Sequence, residues 1–209
     1  MSRNRRKKHS SFFPKLVIGV LLTAIIITTL SISGCLQSTI NRFLMRIYPL
    51  QYEAEIMEAS ETYGLEPEFI AAVIYAESEF NPDAQSHAGA KGLMQIMPDT
   101  FMWLVDLRDD NLTEEDMLTP SVNIDYGCYY ISYLNGIVPG DIYNAAAAYN
   151  AGFSHVQEWL QNPDYSADGL VLDTIPFEET HNYINKIKLA EEKYAELYFE
   201  NDEYKSSNQ

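Results

Sequence analysis

Two glutamates, Glu77 and Glu79, close an apolar run formed by Phe69, Ile70, Ala71, Ala72, Val73 and Ile74. If the run is a helix, Ile70, Val73, Ile74 and Glu77 stand at i, i+3, i+4 and i+7, on one face. Glu79 lies two residues on, roughly 200° further around, and points away. A carboxyl held against apolar side chains is hard to ionise, so its pKa rises. Such a group can protonate a leaving oxygen and later take a proton back. The alternative is a helix-end glutamate whose carboxylate is paired or reaches water. Buried glutamates are rare unless paired or functional, and this chain has few bases to pair with them.

The elements that would carry Glu77 can be read from their stop and start signals. A helix over 50–64 ends at Gly64, and Pro67 opens the next, 67–78. Asn81-Pro82-Asp83 breaks it. The segment 86–98 places Gly89 and Gly92 in a tight loop or short hairpin. Asp99-Thr100 can cap a helix to about 107. The acidic segment 106–116 lacks the glycine and register of an EF-hand and reads as a solvated loop with a capped turn at Thr113. Thr119-Pro120 starts a helix that stops at Gly136. Asp141 caps 142–150, which Gly152 ends, and Ser154 with Gln157 forms a capping box for a short helix. After a loop over 162–176, residues 178–200 form one long helix with Tyr183, Ile187, Ala190, Tyr194 and Leu197 on a stripe. No useful β alternation appears, so the class is all-α or nearly so.

"AVIYAESEFNPDAQSHAGAKGLMQIMP" (72–98) resembles the first motif block of the soluble-type (SLT) lytic transglycosylase domain. The shared residues are Glu77-Ser78, Phe80-Asn81, Ala84, Ser86, Gly89-Ala90, Gly92-Leu93-Met94-Gln95 and Met97-Pro98. "AAYNAG" (147–152) and "IPFEETHNYINKI" (175–187) are similar to the second and third blocks, and Pro120, Asn123-Ile124 and Gly127 also fit. His181 and Ile184 depart from the residues the family often carries. The resemblance runs from about 50 to 190. It implies an α-helical lysozyme-like fold with a small Gly-rich loop, and cleavage of the β-1,4 bond between N-acetylmuramic acid and N-acetylglucosamine in peptidoglycan. It implies one acid and base, Glu77, and a 1,6-anhydromuramoyl product instead of hydrolysis.

On that resemblance Ser86, Gln95, Met97, Tyr149 and Glu179 are substrate-side residues. Ser86 and Gln95 could orient the carboxyl or bond sugar amides. Met97 and Tyr149 would wall the site, with Tyr149 able to hydrogen-bond Glu77. Ser78, Gly89, Gly92 and Asn150 support the site: Ser78 as a helix-end brace, the glycines by close backbone approach, Asn150 as a structural cap. Ordinary glycoside hydrolysis uses two carboxylates. Glu79 faces away, and the spacing of Asp83 fixes nothing. A lysozyme-like hydrolase on the same or a chitin-like glycan, and a non-catalytic wall-binding module, stay open. No cofactor is implied. His87, His155 and His181 share no metal-ligand spacing, so no metal is inferred.

Composition adds an address. Of 209 residues, six of the 14 Lys and Arg lie in residues 1–15, which hold no acid. The remainder sets eight bases against 30 acids, a net charge of −22. That body would repel nucleic acid. Residues 16–33 are charge-free and long enough for a bilayer-spanning anchor, with the basic flank on the cytoplasmic side. Ile32-Ser33-Gly34-Cys35 equally resembles a lipoprotein ending, with Cys35 lipidated. Both place the domain outside the cytoplasm. The expected organisation is an anchor or signal segment over 1–35, a connector over 36–49, the catalytic domain over 50–200 and a polar tail over 201–209. Partners are then glycan strands, the membrane and an envelope-machinery protein. Cys128 reads as a small core residue.

Overall fold

The computed structural model describes residues 36–200. The anchor or signal segment, Cys35 and the polar tail lie outside them. Residues 36–47 are helical (α1), and no described helix is long and apolar enough to cross a membrane. Among the described residues, 47–200 form one compact unit.

That unit is built from helices: α2 (Glu53–Tyr63), α3 (Pro67–Ser78), α4 (Pro98–Arg108), α5 (Pro120–Ile137), α6 (Ile142–Ala151), α7 (Phe153–Leu160) and α8 (Glu178–Tyr194). Among the described residues the only β pairing is two isolated bridges, Gln85 to Lys91 and Lys91 to Ile96, in the Gly-rich loop. The all-α expectation and the hairpin-like loop both hold. Helix α3 is the core element. Residues 69–74 are all buried, so this helix is apolar on every side and must be enclosed. Helix α8 packs along it, burying Tyr183, Ile184, Ile187, Ala190 and Tyr194.

Boundaries follow local chemistry, with instructive departures. Gly64 caps α2 at φ 66°, and Pro67 opens α3. The Asp141 carboxylate accepts from the amides of Tyr143 and Asn144 at 3.0 and 3.1 Å. Helix α4, however, begins at Pro98 with Met97 at its N-cap, and neither Asp99 nor Thr100 caps it. Proline lacks the amide that the first turn leaves unpaired anyway. Helix α5 passes Gly136 and ends at Ile137; the stop comes from Pro139, which holds Val138 extended (φ −92°, ψ 125°). Gly152 alone separates α6 from α7 and takes the N-cap position, so Ser154 falls inside α7 and the expected capping box is absent. The last helix rewinds into a π turn over Ala195–Phe199. The tyrosine hydroxyls there donate to the carbonyls of Pro49 (Tyr194, 3.0 Å) and Tyr48 (Tyr198, 2.7 Å).

The Gly-rich loop is held by Asn123, a buried residue of α5. Its side-chain oxygen accepts from the Met94 amide at 2.7 Å. Its nitrogen donates to the carbonyls of Lys91 (3.1 Å) and Met117 (2.9 Å). Gly92 has φ 81°, and a Cβ there would lie 2.3 Å from the Asn123 amide nitrogen. Gly89 also has positive φ (97°), but open space around it. Gly92→Ala is therefore expected to destabilise the fold by roughly 2–4 kcal/mol, strain plus a broken polar hub, and Gly89→Ala by about 1–2 kcal/mol, strain alone. Paired denaturant titrations check this; equal losses would show that the hub carries no weight.

Candidate active site

Glu77 lies in the last turn of α3, where the helix emerges from the core. It is partly buried. Burial pushes its carboxyl pKa up to about 7. The Tyr183 hydroxyl and the Lys186 charge pull it down, and the charge of Glu179 pushes it up. All three belong to α8, at positions i, i+4 and i+7, so one face of that helix sets the environment of one carboxyl. Among the described residues the buried Tyr183 hydroxyl makes no hydrogen bond of good geometry. It still lies close enough to Glu77 to act on its carboxyl, and burial first, then the Glu77 charge, raises the pKa of the Tyr183 phenol.

Lys186 is fixed from several sides. Its Nζ donates to the Ala76 carbonyl at 3.1 Å, near the C-terminal end of α3, where the helix dipole favours a cation. It lies 5.0 Å from the Tyr75 ring centre and 3.8 Å from a carboxylate oxygen of Glu79. Glu79 itself ends the helix in the left-handed conformation (φ 52°), with 71% of its side chain exposed. The two glutamates therefore differ in burial, but Glu79 lies past the helix end and shares Lys186 with Glu77, so helical spacing does not place it.

Two adjoining cavities carry side chains that interact with Glu77, which itself lines neither. One, of about 290 Å³, is lined by Gln95, Met97, Thr100, Tyr130, Tyr149 and Asn150, among others. The other, of about 500 Å³, is lined by Asn150, Pro176, Phe177, Glu179 and Thr180, among others. They share Asn150 and Ala151. A wall residue of each, Tyr149 and Glu179, interacts electrostatically with Glu77. Among the described residues no group of His, Cys, Asp and Glu side chains could hold a metal ion.

The structure redistributes several expected roles. Tyr149 donates its hydroxyl to the Met94 carbonyl at 2.7 Å, not to Glu77; its ring remains on the cavity wall. Gln95, at φ 50°, uses its amide nitrogen to brace the loop through the carbonyls of Ala84 (3.0 Å) and Gly92 (2.9 Å). Ser86 accepts from the Ala90 amide at 3.0 Å and stabilises the hairpin. Ser78 bonds the Leu93 carbonyl at 2.8 Å, tying the end of α3 to the loop. Asn150 accepts from Thr180 at 2.8 Å, which joins the end of α6 to the start of α8. Met97 is 41% exposed on its cavity rim. Tyr183 and Lys186 were not singled out as site residues from sequence. Their spacing from Glu179 was the available signal.

Residues 55–170 match the family described as Transglycosylase SLT domain. The chain belongs to this family. It is 31% identical over 168 residues to the soluble lytic murein transglycosylase of Salmonella typhimurium, covering 79% of this chain and 26% of that protein. It is 31% identical over 169 residues to the membrane-bound lytic murein transglycosylase C of Actinobacillus pleuropneumoniae, covering 70% of this chain and 46% of the relative. Among solved structures, an inactive mutant of the lytic transglycosylase Slt of Pseudomonas aeruginosa aligns with a TM-score of 0.65 at 30% identity, over 73% of this chain and 25% of that one. The 70 kDa soluble lytic transglycosylase of Escherichia coli gives the same TM-score at 28% identity, with the same coverage. The match thus spans about a quarter of the soluble relatives, and this SLT domain has the lysozyme-like fold.

Two measurements probe the Glu77 environment. A carboxyl whose pKa is raised by folding binds its proton more tightly folded than unfolded. Stability is therefore lost as pH rises from the unfolded value, about 4.3, to about 7. Glu77→Gln removes that loss, so the stability of the variant relative to wild type should grow by roughly 1–3 kcal/mol between pH 4 and pH 8. A pH-independent difference in chemical denaturation would contradict the assignment. Lys186→Met should raise the Glu77 pKa further, read by carbon NMR of the labelled carboxyl. A fall would contradict the sign given to Lys186.

Proposed function

We propose that this chain is a peptidoglycan lytic transglycosylase that cleaves the β-1,4 bond between N-acetylmuramic acid and N-acetylglucosamine, with Glu77 as its one acid and base. The observation that carries this reading is a single carboxyl with a pKa of about 7 that interacts with a wall residue of each of two adjoining cavities, in a chain of the SLT family. Near that pKa both protonation states are well populated. The protonated form gives its proton to the leaving oxygen as the bond from the muramoyl C1 breaks. The muramoyl N-acetyl oxygen supports C1 as it loses the electron pair. The resulting carboxylate then removes the proton from the muramoyl 6-hydroxyl, whose oxygen closes on C1. The proton count balances, no water enters, and the product is a 1,6-anhydro end.

Among the supporting groups, Glu179 lines the larger cavity and serves sugar binding there, and its charge adds to the burial that raises the Glu77 pKa. Tyr183 and Lys186 stabilise the carboxylate once its proton has left. Met97 and the Tyr149 ring offer apolar walls to pyranose faces. The relative in Pseudomonas aeruginosa is recorded as inactive with one glutamate changed to glutamine, which suits a one-carboxyl mechanism. The address follows the same line: the charge-free segment over 16–33 and the membrane-bound relative support an anchored enzyme on the extracytoplasmic face, by a retained helix or a lipidated Cys35.

The test digests purified peptidoglycan with the full-length protein and weighs the products. Anhydromuramoyl ends are expected, and reducing ends with added water would move the reaction to hydrolysis. Glu77→Gln should lose at least about a thousandfold in rate, the size of a deleted general acid and base. Glu79→Gln should stay within about threefold of wild type. An equal loss in both would refute the division of roles.

A further inference from the structure

The smaller cavity does not end at Tyr149. The Tyr130 ring stands 5.3 Å from that of Tyr149, and both line the cavity. Trp103 of α4 lies 6.0 Å beyond Tyr130, nearly perpendicular to it at 82°. It also lies 5.4 Å from Tyr133, at 81°. Trp103 is 42% exposed. Thr100, one turn earlier on α4, lines the cavity, so cavity wall and tryptophan follow one another along a single helix face.

We propose that Trp103 and Tyr133 form an outer binding shelf for a further sugar of the glycan strand, a β-1,4-linked N-acetylhexosamine seated beyond the cavity. This rests on the function proposed above. An exposed indole is unfavourable in water, and here two edge-on tyrosine contacts hold it in one orientation, so little side-chain entropy is lost when a flat ligand covers it. The body of the chain is strongly acidic, and the shelf is uncharged, which suits the apolar C–H face of a sugar. Continuity with the cavity selects the occupant. A chain long enough to fill the space between Met97 and Tyr149 and continue outward passes Tyr130 and reaches Trp103. The residues that line the cavity are those of the proposed enzyme site, and Trp103 is outside that set.

The shelf makes binding depend on strand length. The full-length Glu77→Gln variant is titrated with a disaccharide and with long strands, both stripped of peptide stems, and with stem-bearing strands. Adding Trp103→Ala should weaken binding of long stripped strands roughly tenfold, equal to about 1.4 kcal/mol. The disaccharide should lose distinctly less. Trp103→Tyr, which keeps a ring, should recover most of the loss and stands in if the alanine variant fails to fold. Indole emission should change on adding long strands and lose that change in Trp103→Tyr. Equal weakening for both lengths, loss confined to stem-bearing strands, or no loss would each overturn the shelf. Absence of cleavage by wild type would sink the enzyme reading instead, while the length-dependent binding still decides the shelf.

Discussion

Everything in this fold is arranged around a helix that cannot touch water. Residues 69–74 of α3 are buried on every side, so α3 must be enclosed by the rest of the body. The helix emerges at its two ends, and at the C-terminal one the chain places Glu77. The same burial that stabilises α3 through apolar area removed from water disfavours the charge of Glu77. Site and core are thus one physical problem. The carboxyl owes its raised pKa to the core it terminates, and shaving that core would alter the proton affinity as well as the stability.

In the proposed reaction the carboxyl gives a proton and takes one back, so it must not be pushed too far in either direction. Burial and the Glu179 charge favour the acid, and Tyr183 and Lys186 favour the base. All three opposing side chains come from α8, whose packing on α3 is also the main closure of the core. One helix–helix contact therefore sets both the geometry and the proton balance. Lys186 is tied to the Ala76 carbonyl and to the Tyr75 ring, so its charge is fixed relative to the carboxyl it modulates.

How much of this was legible in the sequence depended on whether the signal was local. The bounds of α3 were readable because Pro67 and the Asn81-Pro82 break act within a turn. Helical period carried Glu77 to the end of the buried face, but Glu79 lies past the helix end in the left-handed region and owes its exposure to that break. Caps competed with stronger neighbours: Pro98 and Gly152 displaced Asp99 and Ser154, and Pro139 displaced Gly136. Longer-range partnerships were not legible. Tyr149 could be placed on the cavity wall, but its hydroxyl turned to the Met94 carbonyl because that carbonyl lies in a loop pulled inward by Asn123. The Asn123 hub itself joins three segments distant in sequence, and no period or composition announces it. Tyr183 looked like one more stripe residue, since a stripe shows burial and not what lies across from it.

The aromatic content fits the electrostatics. With a net charge of −22 after the basic N-terminus is set aside, the body offers little to an anionic wall polymer by charge attraction. For the proposed glycan substrate, recognition would come from contact area, which on a sugar means C–H faces against rings and thioethers. The cavity and its outer edge are made of such groups: Met97, Tyr130, Tyr149 and Trp103. The neutral walls of the smaller cavity leave the field at Glu77 to its nearest neighbours, Glu179 of the larger cavity among them. A basic groove would bind the polymer more tightly but would depress the carboxyl's pKa, removing the proton that the proposed first step requires. In the proposed reaction, uncharged walls in the smaller cavity and an acidic Glu179 in the larger one both spare Glu77 the cationic neighbours that would strip its proton.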